Sequence, residues 1–343
     1  MLSAMTRQVW IGLCLINSLV AAQDQGWKEA AGVNLTLEEG FGARHSGMGI
    51  TFAGFQTDAN AAANAPAGMN DLNDFTLSTA HAERFGEAKF DDFALLVPFE
   101  ARSTLGLGIA RYGVSDVETR DDVDPVGNRG DPDGYFTVAD YLVTTAFARR
   151  WGGLDLGASL HLLYRQLDQN GVGMRADAMA QYTFQDRYRI SALLKGLAPS
   201  AAAWESDWRE YEPTDLHVGI AARIPAPYFY GTLQAAWQSE GLFQMRAKSA
   251  SDAYGSRFYS NPLKTLQAGN VGLEFLFDFG LTARIGITEL LYASEIPSNL
   301  AFGVGYVWRR TLGVDYSFAP HPDLLASHRI SLQFTPDFPR FTG

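Results

Sequence analysis

Residues 154–162 read Leu-Asp-Leu-Gly-Ala-Ser-Leu-His-Leu, and this stretch decides the fold class. Large apolar residues alternate with small or polar ones, which is the pattern of an extended strand whose successive side chains point to opposite faces. Residues 300–308, Leu-Ala-Phe-Gly-Val-Gly-Tyr-Val-Trp, repeat it with glycine or alanine on the second face. Segments 216–224 and 312–319 alternate in the same way.

The second face of these strands is small, glycine-rich or charged, and it lacks the Lys, Glu and Thr typical of a solvent-exposed sheet. Such a face suits the crowded interior of a barrel whose large residues point towards lipid. We therefore predict an all-β, transmembrane antiparallel β-barrel. The alternative is a secreted β-sandwich or solenoid.

The spacing of the alternating runs predicts fourteen strands, each near the length needed to cross a membrane at a tilt. Short turns separate some neighbours and longer loops separate others, as in outer-membrane barrels. The longer loops fall at 116–134, 198–213, 240–267, 292–298 and 320–326. The predicted strands are 73–84, 90–100, 103–115, 135–150, 153–166, 171–184, 188–197, 214–224, 228–239, 268–278, 281–291, 299–309, 311–319 and 327–335.

The first 22 residues have the pattern of a secretory signal peptide, with Arg7, an apolar run from Val9 and a small-residue end at Ala22. We expect Sec-dependent export followed by insertion in a Gram-negative-type outer membrane. The predicted organisation is a signal peptide (1–22), an N-terminal periplasmic or hatch segment (23–72), a barrel (73–335) and a C-terminal tail (336–343).

Composition excludes some function classes. The 343 residues include 27 basic and 38 acidic ones, giving a formal net charge of −11, so a nucleic-acid partner is not expected. The only cysteine lies in the predicted signal peptide, and no metal, cofactor or hydrolase motif occurs. Ser159 and His161 share a strand face and could suggest an esterase, but small polar residues of a barrel interior are the simpler interpretation. We expect neither an enzyme nor a cofactor.

Residues 40–70 do not alternate. They are rich in Gly, Ala and Asn, a composition that favours tight turns and short helical pieces with closely packed backbones. Because this segment precedes the first strand, we expect it to start on the periplasmic side and to fold into the barrel lumen as a plug.

The segment also carries a family signature. Gly-Ala-Arg-x-x-Gly-Met-Gly (residues 42–49), an Asp-Ala-x-Ala-Ala stretch (58–62) and Pro-Ala-Gly (66–68) resemble the N-terminus of PorV/PorQ-type outer-membrane proteins, relatives of the FadL long-chain fatty acid channel. Residues 302–334 are similar to the closing hairpins of that family. The chain departs from the family at Ala65, which stands where an asparagine usually precedes the proline.

The resemblance implies a barrel with an N-terminal hatch in its lumen. Carried over by position, it implies ligand-binding or gating roles for the residues of the hatch motifs. These are Gly47, Met48, Gly49, Phe52, Asn64, Pro66 and Ala67.

Two functions follow. The PorV/PorQ resemblance favours an accessory of type IX protein secretion or surface protein delivery. The alternative is a FadL-like channel for hydrophobic molecules such as long-chain fatty acids. The expected partners are outer-membrane lipid and either a hydrophobic small molecule or secretion-system proteins. We expect the acidic loop 116–134 to be exposed to solvent, with Ca²⁺ binding as the alternative. We expect the aromatic loop 240–267 to form a lid, a docking surface for a partner or a loop packed on the barrel rim.

Overall fold

A computed structural model describes residues 28–29, 35–38, 40–100, 102–119, 132–167, 169–197, 200–206, 208–212, 214–239, 242, 269–288, 300–320 and 325–336. The predicted signal peptide lies outside these residues, as do most of the tail and most of loops 116–134, 240–267 and 292–298. Among the described residues, no helix is both long enough and apolar enough to cross a lipid bilayer.

The chain begins with short elements. They are a two-residue strand Lys28–Glu29 (β1), helices Leu35–Glu38 (α1), Ala43–Gly47 (α2) and Ala61–Asn64 (α3), and a 3₁₀ helix Pro66–Asp71.

Sixteen longer strands follow. They are Thr76–Arg84 (β2), Ala88–Glu100 (β3), Ser103–Thr119 (β4), Gly134–Trp151 (β5), Leu154–Gln166 (β6), Asn170–Phe184 (β7), Tyr188–Lys195 (β8), Ser200–Trp204 (β9), Arg209–Glu212 (β10), Asp215–Ala226 (β11), Gly231–Gln238 (β12), Asn270–Phe277 (β13), Leu281–Ile287 (β14), Leu300–Trp308 (β15), Leu312–Ala319 (β16) and Ser327–Phe334 (β17).

Fourteen of these strands form a closed antiparallel barrel, as the alternation predicts. Each barrel strand pairs with the next along the chain, and β8 pairs with β11 across the β9–β10 insertion. The ring closes where β17 pairs with β2, from His328 opposite Glu83 to Phe334 opposite Leu77. Because the ring is closed, no barrel strand leaves an edge of unpaired backbone groups.

The two faces of the wall differ as expected from the sequence. On β4 and β6, the outward residues are large and exposed, for example Leu107 at 51% and Leu162 at 51%. The alternate residues are buried and polar or small, for example Ser159 and His161. An exposed apolar exterior around a polar interior is the arrangement of a barrel that faces lipid.

The structure corrects the prediction at the long-loop end. The segment predicted as loop 198–213 contains the β9–β10 hairpin. Strand β9 also pairs with residues 171–174 of β7, at the long-loop end of that strand. Strands β4 and β5 extend into the predicted loop 116–134, past a register shift between Val114 and Val117. Asp116 has a positive φ of 59° there. The bulge interrupts the two-residue period, so alternation could not reveal the extension.

The described residues of the N-terminal segment contact inward-facing residues of the wall, starting at the end of the barrel that carries the longer loops. Lys28–Glu29 pairs in parallel with β10, at the end of the barrel that carries the longer loops. The chain then contacts inward-facing residues of β5, β7 and β8 at Thr36 and Glu38, and it reaches the short-turn end at Asp71. We call residues 36–71 the luminal segment.

The lipid-facing role of the exterior can be tested with a single charge. Leu107→Arg places a guanidinium on the outward face of β4, and we expect it to destabilise the folded barrel in a bilayer, lowering the free energy of unfolding by about 2–4 kcal/mol. Tyr228→Arg is the matched control, because Tyr228 is 94% exposed in a short turn and the expected cost there is about 0–1 kcal/mol. Equal costs in a lipid-vesicle folding titration would contradict a lipid-facing β4.

Candidate functional site

The candidate site is the contact surface between the luminal segment and the barrel wall. At several points the two backbones meet without any side chain between them. A Cβ atom added to Gly157 would lie 2.2 Å from the nitrogen of Ala67, and one added to Gly286 would lie 2.0 Å from the nitrogen of Gly49. Inward-facing glycine on the wall is therefore what allows the segment to lie against it.

A buried ionic network holds the middle of the luminal segment. The Arg44 guanidinium binds the Glu274 carboxylate on β13 with two hydrogen bonds, Nε to Oε1 at 3.0 Å and Nη2 to Oε2 at 2.9 Å. Arg284 on β14 donates to the same carboxylate at 2.6 Å and also to Asp315 on β16. The side chains of Arg44, Glu274 and Arg284 are at most 4% exposed. Charges this deeply buried are stable only while they are paired.

Two further carboxylates, Asp71 and Glu38, fix the ends of the segment through ion pairs. At the short-turn end, both carboxylate oxygens of Asp71 accept from Arg189 on β8, at 2.6 and 2.7 Å. At the long-loop end, Glu38 accepts from Arg175 at 2.9 Å and from Lys195 at 2.5 Å. The Asp71–Arg189 pair at the short-turn end is nearly buried, whereas Glu38 is exposed. The attachment through Glu38 at the long-loop end is therefore screened by solvent and is the weaker of the two.

An apolar aromatic cluster lies between the upper luminal segment and strands β2 to β6. The rings of Phe41 and Phe90 meet edge to face with centroids 5.3 Å apart, and Tyr112 follows at 6.1 Å from Phe90. The guanidinium of Arg329 sits over the Phe90 ring at 5.0 Å. The remaining members are Leu37, Ala63, Ala82, Ala110, Leu142 and Leu163. The result is an apolar aromatic surface inside the lumen, with a cation at its edge.

Next to this cluster the structure places a buried histidine. Burial, together with the positive charges of Arg44 and Arg329, lowers the pKa of His45 to about 3. The ring is therefore neutral at physiological pH and adds no charge beside the aromatic cluster.

The residues predicted from the resemblance are distributed around the lumen and do not form one pocket. Gly47 faces Gly303 on β15, and Gly49, with a positive φ of 66°, lies against β13 and β14. The carbonyl of Met48 accepts from Thr51 at 3.0 Å. Met48 itself packs in a small apolar cluster on β11 and β12.

The other four predicted residues lie elsewhere along the segment. Phe52 packs against β7 and β8 and donates its N–H to Gln238 at 2.6 Å. Pro66 starts the 3₁₀ helix, and Ala67 accepts from Gln181 at 3.2 Å. Asn64 holds the segment to itself, since its amide accepts from the N–H of Phe41 and donates to the carbonyl of Phe41 at 3.0 and 2.8 Å.

Sequence reasoning missed the residues that make the strongest contacts. Arg44 stands within the Gly-Ala-Arg motif, but neither its role nor its partner Glu274 was predicted. A signal did exist, because Glu274, Arg284 and Asp315 are charged residues at inward positions of alternating strands. Their pairing depends on the register between strands, which a single sequence does not reveal.

The Ser159–His161 pair is not arranged as a hydrolytic relay. His161 Nε2 lies 3.0 Å from Ser159 Oγ and 3.3 Å from Asp177, so the hydroxyl and the carboxylate share one ring nitrogen. The other nitrogen faces Thr144 at 2.9 Å. A serine nucleophile needs the carboxylate on the opposite nitrogen from the hydroxyl. These residues satisfy each other's hydrogen bonds within the wall.

Comparison with known proteins gives matches only at the level of structure. No protein-family profile matches the sequence, and no curated protein does. The toluene transporter TodX of Pseudomonas putida aligns with a TM-score of 0.58 and 12% identity, over 87% of this chain and 98% of TodX. The toluene transporter TbuX of Ralstonia pickettii aligns with a TM-score of 0.56 and 16% identity, over 88% and 99%. A FadL homologue of Pseudomonas aeruginosa aligns with a TM-score of 0.50 and 12% identity, over 87% and 98%.

This chain has the fold of these barrels. The FadL part of the sequence resemblance is thereby supported for the fold, whereas the PorV/PorQ part stays a prediction.

The close backbone contacts predict a strong effect of very small substitutions. Gly286→Ala should push the luminal segment away from β14, since neither backbone can give way without loss of packing, at a cost of about 1–3 kcal/mol. Limited proteolysis of the folded barrel should then cut the segment faster. Gly108→Ala is the control, because its nearest contact would be an ordinary 3.4 Å to Thr144. Equal protease resistance of both variants would contradict the tight contact.

The ionic network predicts an order of effects. Glu274→Gln leaves Arg44 without a carboxylate, whereas Arg44→Met leaves Glu274 paired with Arg284, so the first change should loosen the segment more. We expect a loss of about 3 kcal/mol for Glu274→Gln, which is roughly a hundredfold faster amide exchange in residues 43–49. The double variant Arg44→Met/Glu274→Met should recover most of the protection. Additive single and double effects would contradict the coupling.

Proposed function

We propose that this protein is an outer-membrane channel for hydrophobic small molecules, long-chain fatty acids being one candidate class. The observation that carries the proposal is the apolar aromatic cluster between Phe41 on the luminal segment and Phe90 on the wall. Apolar and aromatic side chains of this kind suit a hydrophobic ligand. The fold shared with TodX, TbuX and a FadL homologue supports the same reading.

The arrangement of the luminal segment suggests how such a molecule enters. Helix α1 carries Leu37 into the apolar cluster, and Glu38 attaches it to the wall at the exposed long-loop end. Below it, the Arg44 and Asp71 ion pairs are buried. Displacement of α1 therefore costs less than displacement of the whole segment, and it uncovers the apolar cluster from the long-loop side. The ligand takes over the contacts that Leu37 gives up.

Arg329 suggests what kind of molecule is favoured. Its guanidinium lies over Phe90 and also donates to the carbonyl of Gly40 at 2.7 Å. A cation at the edge of an apolar cluster suits an amphiphile with an acidic head and an apolar tail. A neutral hydrocarbon would use the aromatic cluster alone.

The motif resemblance favoured a secretion accessory, but the structural comparisons support transport better. Loss of the protein distinguishes the two. Slower uptake of oleate or toluene by intact cells, with normal surface delivery of proteins that carry cleaved C-terminal signals, fits the channel. Unchanged uptake with failed delivery would replace the channel by the secretion role.

A matched pair of phenylalanines tests the site itself. Phe41 and Phe52 are 4% and 3% exposed and lie in different luminal clusters. Phe41→Ser should weaken the binding of oleate to the purified barrel by about tenfold or more, because it removes an aromatic wall of the ligand site. Phe52→Ser should have little effect on binding. The reverse order in a fluorescence displacement titration would move the site away from Phe41.

A further inference from the structure

Beyond transport, the short-turn end of the barrel carries a second set of residues that the lumen does not use. Six turns lie at this end, those that join β3 to β4, β5 to β6, β7 to β8, β11 to β12, β13 to β14 and β15 to β16. Large aromatic side chains are exposed at or beside five of them. They include Trp151 at 76%, Tyr228 at 94%, Phe229 at 69%, Tyr230 at 73%, Phe279 at 62% and Trp308 at 51% exposed. Phe184 and Tyr188 stack at 5.3 Å beside the β7–β8 turn. Aromatic rings placed in this way lie at the boundary between lipid tails and headgroups.

Exposed arginines share this end with the aromatic rings. They occur at four of the six short turns, and the set is Arg102, Arg149, Arg187, Arg309 and Arg310. We call these five the arginine rim. Within the part of the chain that the structure describes, none of the five forms an ion pair, whereas the inward-facing Arg150 and Arg189 are bound to Asp155 and Asp71.

The geometry places three members of the rim beside the outward-facing aromatic residues. Arg149 lies on the outward face of β5 between Phe147 and Trp151, and all three are exposed. Arg309 follows the outward-facing Trp308, with its guanidinium 4.8 Å from the centre of that ring. The carbonyl of Arg102 accepts from the N–H of Arg150 at 2.8 Å, which places Arg102 beside the end of β5. Each of these cations therefore sits at the level of the aromatic residues.

Among the exposed residues that the structure describes, the two ends of the barrel differ in charge. At the short-turn end, the five rim arginines outnumber the exposed carboxylates of the described residues, which are Asp74, Asp186 and Asp278. At the long-loop end, the exposed described residues are strongly acidic, and Lys89 is an exposed cation among them. The acids there are Glu38, Glu83, Glu87, Asp91, Asp116, Glu118, Asp133 and Glu205. Among the described residues, exposed cations are therefore concentrated at the short-turn end.

We propose that the arginine rim binds the phosphate groups of anionic phospholipids in the leaflet that meets the short-turn end. This inference rests on the proposed membrane location, but not on transport. The planar guanidinium donates two parallel hydrogen bonds to a phosphate, and the neighbouring ring supports the lipid glycerol and upper tail. Charge complementarity selects anionic over zwitterionic headgroups at the short-turn end. The exposed acids at the long-loop end disfavour anionic headgroups there.

The test uses the full-length barrel with the five rim arginines changed to Gln. Native mass spectrometry in mixed micelles should show that the wild type retains phosphatidylglycerol in preference to phosphatidylcholine. In the variant, the ratio of retained phosphatidylglycerol to phosphatidylcholine should fall about tenfold. The control is Lys89→Gln/Arg111→Gln, which removes two cations near the long-loop end and should keep it. An Arg→Lys version of the rim should be intermediate, because charge remains while the paired hydrogen bonds are lost.

Other outcomes would overturn the proposal. Unchanged retention of phosphatidylglycerol by the Gln variant would do so, and so would an equal loss in the control variant. Displacement of the lipid by millimolar inorganic phosphate would mean that the rim binds a free anion. Equal retention of lipid A would remove the preference for phospholipid. Heat-dependent mobility on a denaturing gel confirms that each variant is folded.

The lipid readout is independent of the proposed channel. Phe41→Ser should retain phosphatidylglycerol like the wild type while it loses oleate binding. If oleate uptake fails for the wild type and lipid selectivity persists, the channel is wrong and the rim stands.

Discussion

Closure of the sheet is the constraint on which the rest of the structure depends. In hydrocarbon an unpaired strand edge would leave a row of N–H and C=O groups without partners, so the ladder between β17 and β2 has to form. The same closure fixes which face of every strand points inwards. One alternating pattern thereby produces both the apolar exterior, with Leu107 and Leu162, and the polar interior, with Ser159 and His161.

A closed ring of this size creates a second requirement. Facing side chains fill the interior of a barrel of about eight strands, and a larger ring leaves space that water, a ligand or a plug can fill. Here the luminal segment occupies it, and the contact is made by small residues on both sides. Gly157 and Gly286 on the wall admit the backbone of the segment, and Ala67 and Gly49 meet them. Polar inward residues then acquire partners on the segment, as Glu274 does with Arg44.

This order of dependence explains what the sequence could predict. Alternation is local, so the fourteen barrel strands and the direction of their faces were predictable from single runs such as 154–162. The β4 extension past Asp116 was not, because a bulge breaks the period. The β9–β10 hairpin lay in a region without alternation. The entry of the luminal segment from the long-loop end depends on the pairing of β1 with β10, which joins residues far apart in the chain.

The candidate site follows the same rule. Motif resemblance located the segment that lines the lumen, but it named residues such as Gly47 and Ala67 that serve the contact of two backbones. The chemistry lies in pairs whose members come from different elements, Arg44 with Glu274 and Phe41 with Phe90. A single sequence contains both members of each pair and nothing that links them, since the link is the strand register.

The distribution of charge along the luminal segment limits how it can open. Arg44 and Asp71 are each held by two hydrogen bonds to buried partners. Releasing either residue therefore leaves an unpaired charge buried away from water. Glu38 is bound by two cations but is exposed, and water can replace them when it leaves. The free-energy cost of opening therefore rises from the long-loop end towards the short-turn end. In the proposed channel, the conduit would therefore open first beside α1, and the part of the luminal segment near the short-turn end would be the barrier that a ligand must still pass.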